Sequence, residues 1–282
     1  MAEQKVWLVT GSSRGLGRSI AAAAAASDAR VMATARRPKD LDDLVAEYPG
    51  RVRAVALDVT DPQAATAAVE ATIAAFGRLD VVVNNAGYAN SAPIEEMTDD
   101  DFRAQVEANL YGVVNVTRAA LPVMRKQRSG VFVQVSSIGG RVGGTPGMGA
   151  YQTAKFAVEG FSEVLASEVG PLGIKVIIVE PGAFRTEWQG SSMVMHTVGP
   201  DYAATVGKIN QFREDSQGTQ QGDPDRAGAA IVEVVAHDDP PRRLPLGSDA
   251  LALALSAGAA RNAEAGKWAD LSRSTDYPRS AN

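Results

Sequence analysis

Val6-Trp7-Leu8-Val9-Thr10-Gly11-Ser12-Ser13-Arg14-Gly15-Leu16-Gly17 runs directly into Arg18-Ser19-Ile20 and an alanine tract over 21–26. A short apolar run, a glycine-rich turn and a strong helix former in succession read as strand, tight turn and helix. Glycines at such a junction let backbone amides approach a pyrophosphate, and the helix dipole favours the anion. The spacing is Gly-x-x-x-Gly-x-Gly rather than the common Gly-x-Gly-x-x-Gly. Position after the first strand therefore makes Gly11, Ser13, Arg14, Gly15, Leu16 and Gly17 the candidate phosphate cradle. Two other motifs compete for these residues. Gly11-Ser12-Ser13-Arg14-Gly15 also fits the nucleophile elbow of a serine hydrolase acting through Ser13. That serine comes too early for a preceding loop to furnish the second oxyanion donor, and its histidine would have to be His196 or His237. A Walker loop fails, because Ser12 stands where it needs glycine and Arg18 where it needs lysine.

Working outward, β-branched runs over 6–10, 30–35, 52–57, 79–83, 131–136 and 174–180 alternate with longer helical patterns. This reads as an α/β chain with one Rossmann-like, doubly wound parallel sheet of about seven strands and helices on both faces. The alanine tract is a packing device, small side chains that admit a close sheet. Asp61-Pro62 opens a helix with a capping carboxylate and a first-turn proline. A long helical pattern from Tyr151 ends at Gly170 before Pro171. Residues 188–222 lose periodicity, as a lid or binding loop does. A helix over 225–236, a short strand over 243–246 and a helix over 248–265 follow, with a frayed end. The expected organisation is one cofactor-binding catalytic domain over 1–240, with its lid near 187–222, and a C-terminal extension over 241–282 packed on it.

The chain has 282 residues, 45% of them hydrophobic, and 28 basic against 33 acidic side chains give a formal charge of -5. No basic footprint for nucleic acid is present, and no apolar stretch has the length of a membrane span. The polar start from Met1 to Lys5 does not resemble a signal peptide, so a cytoplasmic protein is expected. Cysteine is absent, which removes disulfides, thiolate catalysis and cysteine-bound metals. With two histidines far apart, no metal site is expected.

Tyr151 and Lys155 are four residues apart, on one helical face. A phenol has a reference pKa near ~10. A neighbouring ammonium that lowers it by two to three units supplies roughly 3–4 kcal/mol, and the phenol then exchanges a proton with an alcohol or ketone. The second strand ends Thr34-Ala35-Arg36-Arg37, without the carboxylate that binds an NAD ribose. Arg36, with Arg14, suits the 2′-phosphate of NADP(H), favoured over NAD(H); the alternative is that the arginines are surface charges.

Assembled in order, Thr10 to Gly17, Asp58-Val59, Asn84-Asn85-Ala86-Gly87, Asn109, Val135-Ser136-Ser137, Tyr151-Gln152-Thr153-Ala154-Lys155 and Pro181-Gly182 with Thr186 carry a specific resemblance. The chain resembles the classical short-chain dehydrogenases/reductases over roughly residues 5–240. The resemblance implies that Tyr151, Lys155, Ser137 and Asn109 form the catalytic set. Ser137 then holds the substrate oxygen, and Asn109 distorts its helix and keeps a water that relays protons to Lys155, unless it is a surface residue. It also implies cofactor contacts from Asp58 and Val59 to the adenine and from Asn85, Ala86 and Gly87 to the ribose, though Asn85 also suits fastening the sheet. Pro181, Gly182 and Thr186 would hold the nicotinamide, with Lys155 on its ribose beside Tyr151. The Ser137–Tyr151 loop is one residue longer than the family's usual spacing, within a glycine-rich stretch that can absorb it. The implied activity is NADP(H)-dependent interconversion of a ketone or aldehyde and an alcohol, favouring carbonyl reduction, in a homo-oligomer (dimer or tetramer) with no membrane or nucleic-acid partner. Relatives of this fold that bind NADP without turnover lack the tyrosine or lysine; both are present here. Loops over 88–94 and 141–148 and the segment from Trp188 are the expected pocket walls. Met193, Met195, Tyr202 and Phe212 suit either a bulky apolar substrate or a simple cover for the core.

Overall fold

The computed structural model describes residues 4–190 and 192–277. Its sheet strands are β1 (Val6–Val9), β2 (Arg30–Ala35), β3 (Val52–Ala56), β4 (Val81–Asn84), β6 (Gly130–Val135), β7 (Ile174–Pro181) and β9 (Arg243–Leu246). They lie in the order β3-β2-β1-β4-β6-β7-β9, every pairing parallel. The C-terminal strand thus completes the same sheet at its β7 edge. A separate parallel ribbon pairs β5 (Ala89–Ser91) with β8 (Met193–Met195).

Strands buried on both faces read as continuous apolar runs, and successive side chains go to opposite layers. Trp7 and Val9 face α1 (Gly15–Ala26), α2 (Asp42–Glu47) and α9 (Pro224–Ala236). Leu8, Val82 and Phe132 face α3 (Pro62–Phe76), α5 (Gly112–Gln127) and α7 (Gly149–Val169). The alanine tract does pack: Ala21, Ala24 and Ala25 are buried, and Gly228 of α9 comes so close that a Cβ there would stand 2.6 Å from the Ser19 carbonyl oxygen. Asp61 caps α3 through the Gln63 amide at 2.8 Å.

The helical stretch around Asn109 is α4 (Asp99–Val106), one π turn over Glu107–Tyr111, then α5. After the brief α6 (Ile138–Arg141), Gly143, Gly144 and Gly147 adopt φ values of 73°, 81° and 81°, and these turns take up the long loop before α7. The segment expected to be irregular holds β8 and α8 (Lys208–Asp215). The periodicity of α8 escapes a hydropathy reading because its two buried residues, Asn210 and Arg213, are polar. α10 (Ser248–Lys267) and α11 (Ala269–Arg273) close the described chain. Among the described residues no helix is long and apolar enough to cross a membrane.

The strand order reverses between β1 and β4, which opens a crevice at their carboxyl ends. Thr10 ties those ends together. Its hydroxyl accepts from the Asn85 and Ala86 amides at 2.9 and 3.0 Å and donates to the Val83 carbonyl at 3.2 Å. Thr10→Val keeps the shape and leaves two amides without an acceptor. It should cost about 2–4 kcal/mol of stability in urea denaturation, with unchanged far-UV circular dichroism.

Candidate active site

The crevice is lined first by the glycine turn. Gly11 has φ 67° and lies against Ala86, where a Cβ would come within 2.9 Å of the Ala86 Cα. A Cβ on Gly17 would be 2.3 Å from both Asn85 Nδ2 and the Gly11 oxygen, so only glycine fits at that position in the first turn of α1. Asn85 Nδ2 donates to the Thr10 and Gly11 carbonyls at 3.0 and 3.2 Å, so it fastens the turn to β4. Gly15 (φ 56°) faces Thr186, whose Cβ would be 3.4 Å from a Cβ there. Ser13 and Leu16 are half-buried in the same turn, with Arg14 exposed beside them. This cradle of small residues beneath a helix start fits a dinucleotide pyrophosphate.

At the next strand tips, Asp58 accepts from the Thr60 amide and hydroxyl at 3.0 and 2.7 Å. These bonds, with Arg36 nearby, hold its carboxyl below the usual range. Arg36 also acts electrostatically on Tyr88 across the crevice. Val59 packs on Gly112, and Asn115 donates to its carbonyl at 3.0 Å. At the far wall, Pro181 ends β7. Gly182 lies against Asp249 of α10, which accepts from the Ala183 amide at 2.8 Å. That carboxylate was not foreseen; a C-terminal residue reaching the end of β7 leaves no local sequence signal.

The sheet brings the four expected catalytic side chains to one place. Ser137 follows β6, its Oγ accepting from the Gly139 amide at 3.1 Å, and its hydroxyl is close enough to influence the Tyr151 phenol. Tyr151 is buried in α7 with Ala89, Met148 and Met193, and the Trp188 ring leans on it at 5.3 Å between centroids. Lys155 Nζ lies 5.7 Å from the tyrosine ring centroid and donates to the Val135 carbonyl at 2.8 Å. The π turn aims Asn109 inward. Its Nδ2 donates to the Tyr88 and Gln105 carbonyls, both at 3.0 Å, while its buried Oδ1 has no hydrogen-bond partner. A Cβ on Gly87 would meet that Oδ1 at 2.4 Å and Lys155 Nζ at 3.8 Å, so amide oxygen and ammonium converge over one glycine.

Electrostatics depart from the expectation drawn from Tyr151–Lys155 spacing. Burial pushes the Tyr151 phenol up to about 12, with the Ser137 hydroxyl pulling the other way. Burial pushes the Lys155 ammonium down to about 8, against the opposing pull of Glu159. Desolvation disfavours the charged form of each group, so burial outweighs the expected lowering of the phenol. Behind the pair lies a polar layer that was not expected. Glu159 accepts from Ser136 Oγ at 2.9 Å and from Arg243, and Glu180 accepts from Arg243 and Arg141 at 2.9 and 3.0 Å.

No histidine stands ready for Ser13. His196 is tied by its amide to Ser91 of the ribbon, 3.0 Å away, and His237 meets Lys175 at the opposite, amino-terminal edge of β7.

The family model for short chain dehydrogenases matches residues 5–195. The chain is 49% identical over 269 residues to the oxidoreductase BOA17 of Botryotinia fuckeliana, covering 95% of this chain and 98% of that protein. It is 42% identical to a crystal structure of a short-chain dehydrogenase from Streptomyces avermitilis, with a TM-score of 0.91 over 98% of this chain and 100% of that one. An alcohol dehydrogenase from the archaeon Thermococcus sibiricus, solved with 5-hydroxy-NADP, is 25% identical with a TM-score of 0.71, over 86% of this chain and 96% of its own. Fold and similarity agree: the chain belongs to the short-chain dehydrogenase/reductase family and is an oxidoreductase acting on alcohol or carbonyl groups.

Proposed function

We propose that the protein is an NADP(H)-dependent carbonyl reductase in which Tyr151 supplies the proton. The observation that carries this reading is the buried phenol beside Ser137 and Lys155, at the carboxyl ends of the strands and next to the glycine cradle. When bound, the nicotinamide would exchange a hydride with the carbonyl carbon. Ser137 donates a hydrogen bond to the carbonyl oxygen and polarises it. Tyr151 gives its proton to the alkoxide as charge develops there. Burial, which pushes the phenol up to about 12, keeps Tyr151 in the protonated form from which it can donate, and the positive charge of Lys155 and of the bound nicotinamide would ease the loss of that proton. Cellular NADPH pools, usually reduced, favour the reductive direction. Asn109 Oδ1, with no protein donor, is the acceptor for a water that links it to Lys155 and refills the proton. Lys155 binds the nicotinamide ribose after leaving the Val135 carbonyl.

Arg36 supports the choice of NADP(H). It acts on both Asp58 and Tyr88, so its charge reaches the adenosine side of the crevice, where a 2′-phosphate needs a cation. The T. sibiricus neighbour carries an NADP derivative. The same reading makes the protein a cytoplasmic homo-oligomer, for which the exposed Phe156 and Val164 on α7 are suitable contact residues.

Tyr151→Phe should lower kcat by at least about a thousandfold. NADPH binding, followed by tryptophan fluorescence, should stay within a fewfold of wild type; retention of most turnover would remove the assignment. Arg36→Leu should raise the Kd for NADPH about tenfold or more and leave that for NADH nearly unchanged, since a charge-assisted bond of about 1.5–3 kcal/mol is lost.

Lys155 gives a stability prediction. Its folded pKa of about 8 lies below the 10.5 of a free lysine, so folding penalises its charged form. The penalty is fully present below pH 8 and is relieved as pH rises from about 8 to 10.5, where the unfolded chain binds more protons. Lys155→Met should therefore be inactive yet more stable at pH 7 by about 1–3 kcal/mol, its advantage shrinking across that window in denaturation curves.

A further inference from the structure

α8 buries a cation for which the reaction described above has no use. Arg213 is only 6% exposed. Its Nη1 donates to Ser91 Oγ at 3.1 Å and to Asn210 Oδ1 at 3.2 Å, and Ser91 Oγ donates in turn to Asn210 Oδ1 at 2.7 Å. Both partners are neutral. The guanidinium groups of Arg78, Arg141 and Arg243, by contrast, end on Asp80, Glu180 and the Glu159–Glu180 pair. Among the described residues, Nε and Nη2 of Arg213 make no hydrogen bond and no carboxylate offsets the burial, which draws its pKa down to about 10. A guanidinium held by one nitrogen, with its Nε–Nη2 edge unused, is the fork that takes a carboxylate side-on.

Its position relates it to the phenol. Ser91 and Ala89 alternate onto the same face of β5, two residues or about 7 Å apart. Ala89 packs with Tyr151 and Met148. Gly147, next to Met148, comes against Ser91 so closely that a Cβ would stand 2.5 Å from its Oγ and 2.9 Å from Val206. The three segments expected to wall the Tyr151 site, over 88–94, 141–148 and 187–222, therefore converge on Ser91, the residue to which Arg213 donates.

We propose that Arg213 is the anion-recognition residue of the substrate site, so that the enzyme acts on oxo or hydroxy acids whose carboxylate lies a few bonds from the reacting carbon. This rests on the reductase reading: the carbonyl carbon takes the hydride, its oxygen takes the Tyr151 proton, and the carboxylate is unchanged. Arg213 sets which molecules enter rather than how they react. Neutral Ser91 and Asn210 hold the fork in place without satisfying its charge, as a carboxylate partner would.

The test uses the full chain with NADPH and a series of aliphatic oxo acids of increasing carbonyl–carboxylate spacing, each paired with its primary amide. At one spacing kcat/KM for the acid should exceed that for its amide at least tenfold. Arg213→Gln should collapse that ratio at least tenfold, chiefly through KM, while Arg213→Lys retains part of it. Independently of turnover, the matching hydroxy acid should raise the Tm of wild type, its amide should not, and Arg213→Gln should abolish the shift. If Arg213→Gln does not fold, the acid–amide ratio and the Tm shift in wild type and Arg213→Lys decide. Equal use of acids and amides by wild type, or a ratio preserved in Arg213→Gln, would overturn the assignment. Reduction of neutral ketones without acid preference sinks this inference alone, whereas failure to reduce any carbonyl, with the Tm shift intact, sinks the reductase reading and leaves the anion site.

Discussion

One hydroxyl group, that of Thr10, holds the crevice in shape. Parallel strands diverge at a topological switch point, and their last amides lose the ladder that satisfied them. Thr10 supplies the missing acceptor to two of those amides and ties itself back to Val83. Once β1 and β4 are joined at that distance, Gly11 has no room for a side chain against Ala86, and Gly17 has none against Asn85 and the Gly11 carbonyl. The glycines are thus a steric consequence of the junction as much as a provision for phosphate. Asn85 belongs to the junction too: its amide is spent on the Thr10 and Gly11 carbonyls, which gives the fastening role a firm geometric basis.

A second constraint works from behind the site. Glu180, fully buried at the end of β7, receives Arg141 from α6 and Arg243 from β9, and Arg243 also reaches Glu159 on α7. Desolvation cancels much of the attraction in such buried pairs, so their net stabilisation is small. Their effect is positional. α6 follows Ser137 and α7 carries Tyr151 and Lys155, so the network ties together the elements that present the candidate catalytic groups. Gly140 is pressed into the same place, where a Cβ would meet Ser136 Oγ, Glu159 Oε1 and Lys155 Cβ within 3.0 Å.

The sheet is legible in the sequence because its strands are buried on both faces. Runs such as Val81-Val82-Val83 and Ile177-Ile178-Val179 have no plausible place except a covered parallel sheet. The convergence of Ser137, Tyr151, Lys155 and Asn109 is legible through the family resemblance, and the π turn explains why an asparagine sits within a helix there. Other features were hidden for definite reasons. Ala89-Asn90-Ser91 has little strand preference, and only its partner Met193–Met195 makes it a strand. α8 buries Asn210 and Arg213 instead of apolar residues, so its amphipathic signal is inverted. The pKa direction at Tyr151 was unreadable because spacing along a helix reveals the neighbouring ammonium but not the depth of burial.

What the sequence hid, β5, β8 and α8, lies mostly around the proposed substrate side, and there is a physical reason. Residues that break local rules survive where something other than packing selects them. Residues 186–188 touch both halves of the site: Thr186 stands against Gly15 of the glycine turn, and Trp188 leans on Tyr151. Thr186 Oγ1 accepts from the Trp188 amide at 3.2 Å, so the two contacts are parts of one short 3-10 turn. The groups proposed to face coenzyme and substrate therefore share one turn of the chain.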